Sequence, residues 1–361
     1  MTNFEMWNAK FSSHELYAFN GNRNGLLWLK VRSICRAKLM AQFLSDTGIS
    51  LSSLRLSEQS AELFGALEAN PNGMQMLDDF LRAKNHEWYV AAGINEAKLK
   101  EDLYKVHNYD WGGDRNNSLD KYLVSRFVKV VSNYDELVGR RAEIAENAWN
   151  YVKNSWYNNW TSYLIESLFK RHPRVVPAVG EIKSVDFFID SYPLDLKVTY
   201  FPEQYMAMKL REKLGKPELS WLKQQAKAAG IATSHSMTES QQRYAIMEKM
   251  WEIGLDGILA ELQGKRREVV EEARNDSKEL MEWLYSNQGE MRFGAENRLF
   301  VVLVDSSDMS RSWKMKRAFG LIEPKVRHFL DNYDNYGLKE IDFAYKQMRY
   351  KTFANTIFVV K

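Results

Sequence analysis

Asp186, Asp195 and Lys197 are the residues whose types and spacing promise chemistry. They lie in Ser-Val-Asp-Phe-Phe-Ile-Asp-Ser-Tyr-Pro-Leu-Asp-Leu-Lys-Val-Thr, residues 184–199, which reads as two short strands joined by a tight turn. Val185, Phe187, Phe188 and Ile189 make the first strand, Asp190-Ser191-Tyr192-Pro193 the turn, and Leu194 to Thr199 the second. Side chains alternate along a strand, so Asp195 and Lys197 project from one face while Leu194, Leu196 and Val198 point into a core. Asp186 enters from the neighbouring strand. Two acids and an amine at the open end of a hairpin are expensive to desolvate unless something binds them, and a divalent cation suits them.

The pattern resembles the PD-(D/E)xK nuclease superfamily, the group containing many restriction endonucleases and several repair and anti-phage nucleases. The resemblance rests on Asp186, an eight-residue interval, Asp195-Leu-Lys197 and the strand-turn-strand setting, with Val185 standing where the family name has proline. The tripeptide alone discriminates nothing: Glu96-Ala-Lys98, Glu181-Ile-Lys183, Asp276-Ser-Lys278 and Glu323-Pro-Lys325 share it. Only Asp195-Leu-Lys197 sits in an alternating apolar strand with an acid-bearing strand just before it. The resemblance implies a restriction-endonuclease-like α/β fold, a mixed central sheet flanked by helices. It also implies Mg²⁺, with Mn²⁺ as a substitute, held by Asp186 and Asp195 with the Leu196 carbonyl as a third ligand. Lys197 would orient or deprotonate the attacking water and stabilise transition-state charge. In many members a glutamate on the helix before the sheet reaches the metal, directly or through water. Glu166 matches that position loosely, the alternative being a solvated surface residue, and Glu181 is a further candidate ligand on the preceding strand.

The elements around these residues divide the chain in two. Residues 1 to about 150 read as helical, with apolar residues at helical spacing in Leu26–Leu44, Ser57–Leu67, Leu77–Leu81 and Leu99–Val106. Turn signals at Gly48, Asn70-Pro-Asn-Gly73 and Gly112-Gly113 separate them. No phosphate-cradling loop appears, so this part is expected to be an accessory domain for recognition or partner binding. Residues 151–361 are expected to form the nuclease domain, with a helical insertion at about 203–292. A long helix runs from Asp135 towards Arg171, kinked near Asn154–Asn159, and Val175–Ile182 follows as a strand. Leu299–Asp305 reads as a strand buried on both sides, Met315–Leu330 as a helix, Phe343–Met348 as an alternating segment, and Thr356–Val360 as the last strand.

Composition narrows the alternatives. A 45% hydrophobic content supplies a sizeable core, and the formal charge of +3 excludes a bulk polycation. Nucleic-acid affinity would therefore need a local basic surface. Arg311-Ser-Trp-Lys-Met-Lys-Arg317, in a stretch free of acids from Ser310 to Ile322, is the candidate: Arg311, Lys314, Lys316 and Arg317 for phosphates and Trp313 for stacking, or else a solvated basic helix start. A single cysteine, Cys35, excludes internal disulfides and fits a reducing cytoplasm. The N-terminus lacks a signal-peptide layout, and no apolar run is long enough for a membrane helix. The six histidines show no metal-binding pairing and there is no Gly-x-Ser-x-Gly elbow, which argues against His-based metal and serine-hydrolase chemistry.

The expected activity is Mg²⁺-dependent endonucleolytic cleavage of double-stranded DNA, of the restriction or anti-phage type. A repair or recombination nuclease or an RNase of the same fold is one alternative. A non-catalytic DNA-binding or assembly subunit is the other, disfavoured by the intact acid-acid-lysine set. A homodimer or a defence-system partner protein would suit such an enzyme; a membrane would not.

Overall fold

The computed structural model describes residues 2–113, 118–182, 184–232, 237–287 and 295–361; Lys183, the Glu181 side chain and the end of the expected insertion at 288–292 lie outside them. Helices occupy the chain up to the first strand: α1 (Asn3–Ser12), α2 (Arg23–Ser33), α3 (Ala37–Thr47), α4 (Leu56–Ala69), α5 (Gly73–Ala91), α6 (Glu96–Leu103), α7 (Leu119–Leu123), α8 (Tyr134–Gly139) and α9 (Arg141–Lys170). Side-chain caps define several starts. Asn22 accepts from the Asn24 and Gly25 amides, Asn95 from the Lys98 amide, and Thr2 forms a reciprocal box with Glu5, each satisfying amides that a helix start leaves open. The Leu26–Leu44 pattern is two helices parted at Ile34-Cys35-Arg36. α9 is continuously α-helical through Asn154–Asn159, and the helix expected from Asp135 is broken instead at Arg140, between α8 and α9. Asn154, Tyr157 and Thr161 are buried along the inner face of α9, so packing holds the helix through residues of modest propensity.

Three strands follow, β1 (Val175–Ile182), β2 (Val185–Ile189) and β3 (Tyr192–Tyr200), then five helices, α10 (Glu203–Leu214), α11 (Glu218–Ala228), α12 (Glu239–Glu252), α13 (Asp256–Asn275) and α14 (Lys278–Asn287). The chain closes with β4 (Arg298–Val304), a 3₁₀ helix (Met309–Arg317), α15 (Phe319–Asp331), α16 (Tyr333–Tyr336), β5 (Lys339–Tyr345) and β6 (Met348–Val360). The β2–β3 turn is only Asp190-Ser191, and Tyr192 and Pro193 belong to the strand.

The six strands form one mixed sheet in the order β1-β2-β3-β4-β6-β5. The β1–β2, β2–β3 and β5–β6 pairs are antiparallel, while β3–β4 and β4–β6 are parallel. Every residue of β4 is buried, as a central parallel strand requires. On one face Leu194, Leu196, Val198, Leu299, Val301 and Leu303 pack against α9 and α15. There Phe169 stacks on Phe187 with ring centroids 5.4 Å apart; burying one such ring stabilises by roughly 1.5–3 kcal/mol. The other face has two covers. Val176, Ala178, Val185 and Phe188 meet the N-terminal helices α2 to α5, and Phe300, Val302 and Val304 meet α10, α13 and α14. The N-terminal helices thus share a core with the sheet. No helix among the described residues is long and apolar enough to cross a membrane.

Candidate active site

Register gathers the acids. The β2–β3 ladder pairs Ile189 with Tyr192, Phe188 with Pro193 and Phe187 with Leu194. The ladder ends there, and the next residues on the two strands, Asp186 and Asp195, lie close enough for their charges to couple. β3–β4 pairing then sets Asp195 beside Arg298, and β4–β6 pairing sets Arg298 beside Ala354. A single row across the sheet therefore reads Asp195, Arg298, Ala354. It runs along the seam between the two helical covers, on the face opposite α9 and α15.

Past Phe187 the Asp186 side chain reaches across to β3: its Oδ2 accepts the Leu196 amide at 2.7 Å. The N–H and C=O of one strand residue point to the same edge, so the Leu196 carbonyl also faces the side of Asp186. Burial, followed by the charges of Asp195 and Glu166, outweighs that hydrogen bond and pushes the Asp186 carboxyl up to about 6. Its ionised form is held at a penalty that a nearby cation would remove.

Asp195 sits among cations. Lys197 Nζ donates to its Oδ1 at 3.2 Å and lies 3.1 Å from its Oδ2, which places both side chains on one face as their spacing required. Arg298 Nε approaches Oδ2 to 3.4 Å. Neither contact is aligned as a hydrogen bond, so this buried carboxylate oxygen has none. Arg298 donates to Glu296 Oε2 at 2.9 Å, and Glu296 Oε1 accepts from Ser184 at 3.1 Å. Lys197 is half exposed whereas Asp195, Arg298 and Glu296 are almost wholly enclosed. The ammonium therefore stands at the mouth of a buried polar cluster.

Glu166 lies in the last turn of α9, close enough to Asp186 to raise its pKa. Its carboxylate is engaged by Lys170 at 2.6 Å, and Lys170 reaches the Ala178 carbonyl at 3.5 Å. Glu166 is thus near the pair, and tied to a lysine of its own helix. Among the described residues no three His, Cys, Asp or Glu side chains converge as a ready-made metal site. The arrangement fits a hard cation of the kind that takes two carboxylates, a backbone carbonyl and water. Asp195 offers a buried oxygen without a hydrogen bond, and Asp186 is a carboxyl whose ionised form is disfavoured by burial and then by neighbouring negative charge.

The basic segment is not brought to this row. Trp313 and Met315 pack on the opposite face with Leu196, Val198 and Tyr200. Two of its cations are internal, contrary to the phosphate-binding expectation. Arg317 is buried, donates to the Leu103 and Val106 carbonyls at 2.8 and 2.7 Å, and stacks on Tyr104. Lys316 is buried beside Asn158 Oδ1 at 3.0 Å, and desolvation brings its pKa down to about 8. Trp313 stacks on Tyr109 at 5.2 Å. Arg311 is exposed and paired with Asp308, and Lys314 is half-buried over Trp313.

Arg298 and Glu296 escaped the sequence reading. Their signal was Glu296-Asn-Arg298 set directly before the aliphatic run of β4, which only the parallel β3–β4 register converts into proximity to Asp195. No protein-family model, curated protein or solved structure matches this chain.

Proposed function

We propose that the protein is a Mg²⁺-dependent nuclease that hydrolyses phosphodiester bonds in DNA, with a restriction-endonuclease-like core. The observation that carries this reading is the charge-coupled pair Asp186 and Asp195 at the end of the β2–β3 ladder, with Lys197 beside Asp195 on one face. The mixed sheet, with a long helix leading into it and helices on both sides, is compatible with that core. Asp186 and Asp195 would hold the ion, aided by the Leu196 carbonyl and by Glu166 directly or through water. When bound, Mg²⁺ supplies neutralisation of the charge that grows on the phosphate and acidifies water.

The chain's own groups do the rest. Lys197, half exposed at the mouth, donates to a phosphate oxygen and orients the water that attacks phosphorus. The bond from phosphorus to the leaving sugar oxygen breaks, and that oxygen takes up a proton. Arg311 and Lys314 remain the accessible cations of the basic segment for backbone phosphates. The test is incubation of supercoiled plasmid with the protein, with and without Mg²⁺. Nicked or linear product that requires the cation supports the reading. DNA bound but never cut, with Mg²⁺ or Mn²⁺, would favour a non-catalytic DNA-binding subunit, and cleavage of RNA alone would favour an RNase of the same fold.

A further inference from the structure

Asp195 has two cationic neighbours of different kinds. Lys197 is half exposed on a flexible stem and can swing away. Arg298 cannot. Its side chain is 10% exposed, its guanidinium lies 5.1 Å from the Tyr285 ring centroid, and Glu296 holds it from behind at 2.9 Å. Glu296 is itself fixed: Ser184 donates to its carboxylate, and the Tyr285 and Thr352 hydroxyls donate to its backbone carbonyl at 2.8 and 2.9 Å. The Arg298 Nε, aimed at Asp195 Oδ2 from 3.4 Å, has no hydrogen-bond partner.

We propose that Arg298, restrained by Glu296, is a positioning residue that acts through Asp195 and sets how tightly the site takes a divalent cation. The proposal rests on the metal-site reading of Asp186 and Asp195. With no cation bound, the guanidinium beside Oδ2 holds the Asp195 carboxylate aimed and offsets its charge next to Asp186. With a cation bound, the same fixed positive charge opposes it. Glu296 limits that opposition by holding the guanidinium at the edge of the carboxylate instead of upon it. Arg298 and Glu296 should therefore affect cation affinity with opposite signs, the second through the first.

Mn²⁺ binding to the full-length, DNA-free protein, followed by electron paramagnetic resonance at fixed pH and ionic strength, tests this. Arg298→Gln should bind Mn²⁺ on the order of tenfold more tightly than wild type, while Arg298→Lys, which keeps the charge, stays near wild type. Glu296→Gln should bind several-fold more weakly, and much of that loss should vanish in the Arg298→Gln background. Arg298→Gln affinity equal to or below wild type, or an undiminished Glu296 effect in that background, would overturn the proposal. If Arg298→Gln does not fold, Glu296→Gln decides: affinity at or above wild type overturns the proposal, and weaker binding restored by adding Arg298→Lys does so as well. Wild-type protein that takes up no Mn²⁺ would instead contradict the metal site itself.

Discussion

The Asp186 carboxyl accepts the Leu196 amide, feels the charge of Asp195, and is pushed up to about 6 mainly by burial. A raised carboxyl pKa makes the folded state bind protons more readily than the unfolded chain. Its contribution to stability is therefore complete below the unfolded value of about 3.9 and is lost as pH climbs through about 6. Asp186→Asn keeps an oxygen for the Leu196 amide and removes the buried charge. The variant should be more stable than cation-free wild type at pH 8 by about 1–3 kcal/mol, with the gap closing towards pH 4. It should lose cleavage at every pH. Urea denaturation at the two pH values measures the first, and the plasmid assay the second. A variant less stable than wild type at pH 8 would show that the carboxylate is no burden to the fold.

At the scale of elements, β1 and β2 run between the residues the pattern indicated, because apolar alternation lies within the local sequence. The β2–β3 hairpin was legible for the same reason. The hairpin of β5 and β6 was not. Its turn is Lys346-Gln347, both with positive φ, 45° and 67°, a backbone that usually announces itself by Asn or Gly. Pro193 was assigned to the turn, yet it lies in β3 ahead of Asp195, where the pairing with β4 begins, so its missing N–H breaks no ladder bond there. Arg317 and Lys316 looked like a surface patch since nothing local reveals that α6, α9 and the turn after α6 close over them. Tertiary contact likewise explains Gly180: a Cβ there would lie 1.9 Å from the Ser33 carbonyl oxygen at the end of α2. Gly180→Ala should destabilise the protein by about 1–3 kcal/mol in urea denaturation, by forcing β1 away from that helix. Stability equal to wild type would mean that α2 and β1 are free to separate.

The whole molecule is a mixed sheet between helical layers, and the pair Asp195, Arg298 lies where two helical covers of one face meet. A large core around a small charged seam allows the seam to carry unbalanced charge without loss of the fold. That separation underlies the central claim, because Lys197 is half exposed and takes no part in the core. The most direct measurement is the Mg²⁺-dependent rate of plasmid cleavage by Lys197→Ala beside wild type, with DNA binding and thermal melting measured on the same samples. The account predicts cleavage by wild type, its loss in Lys197→Ala, and near-equal melting and DNA affinity, since the ammonium serves the transition state. Cleavage by Lys197→Ala at the wild-type rate would contradict it.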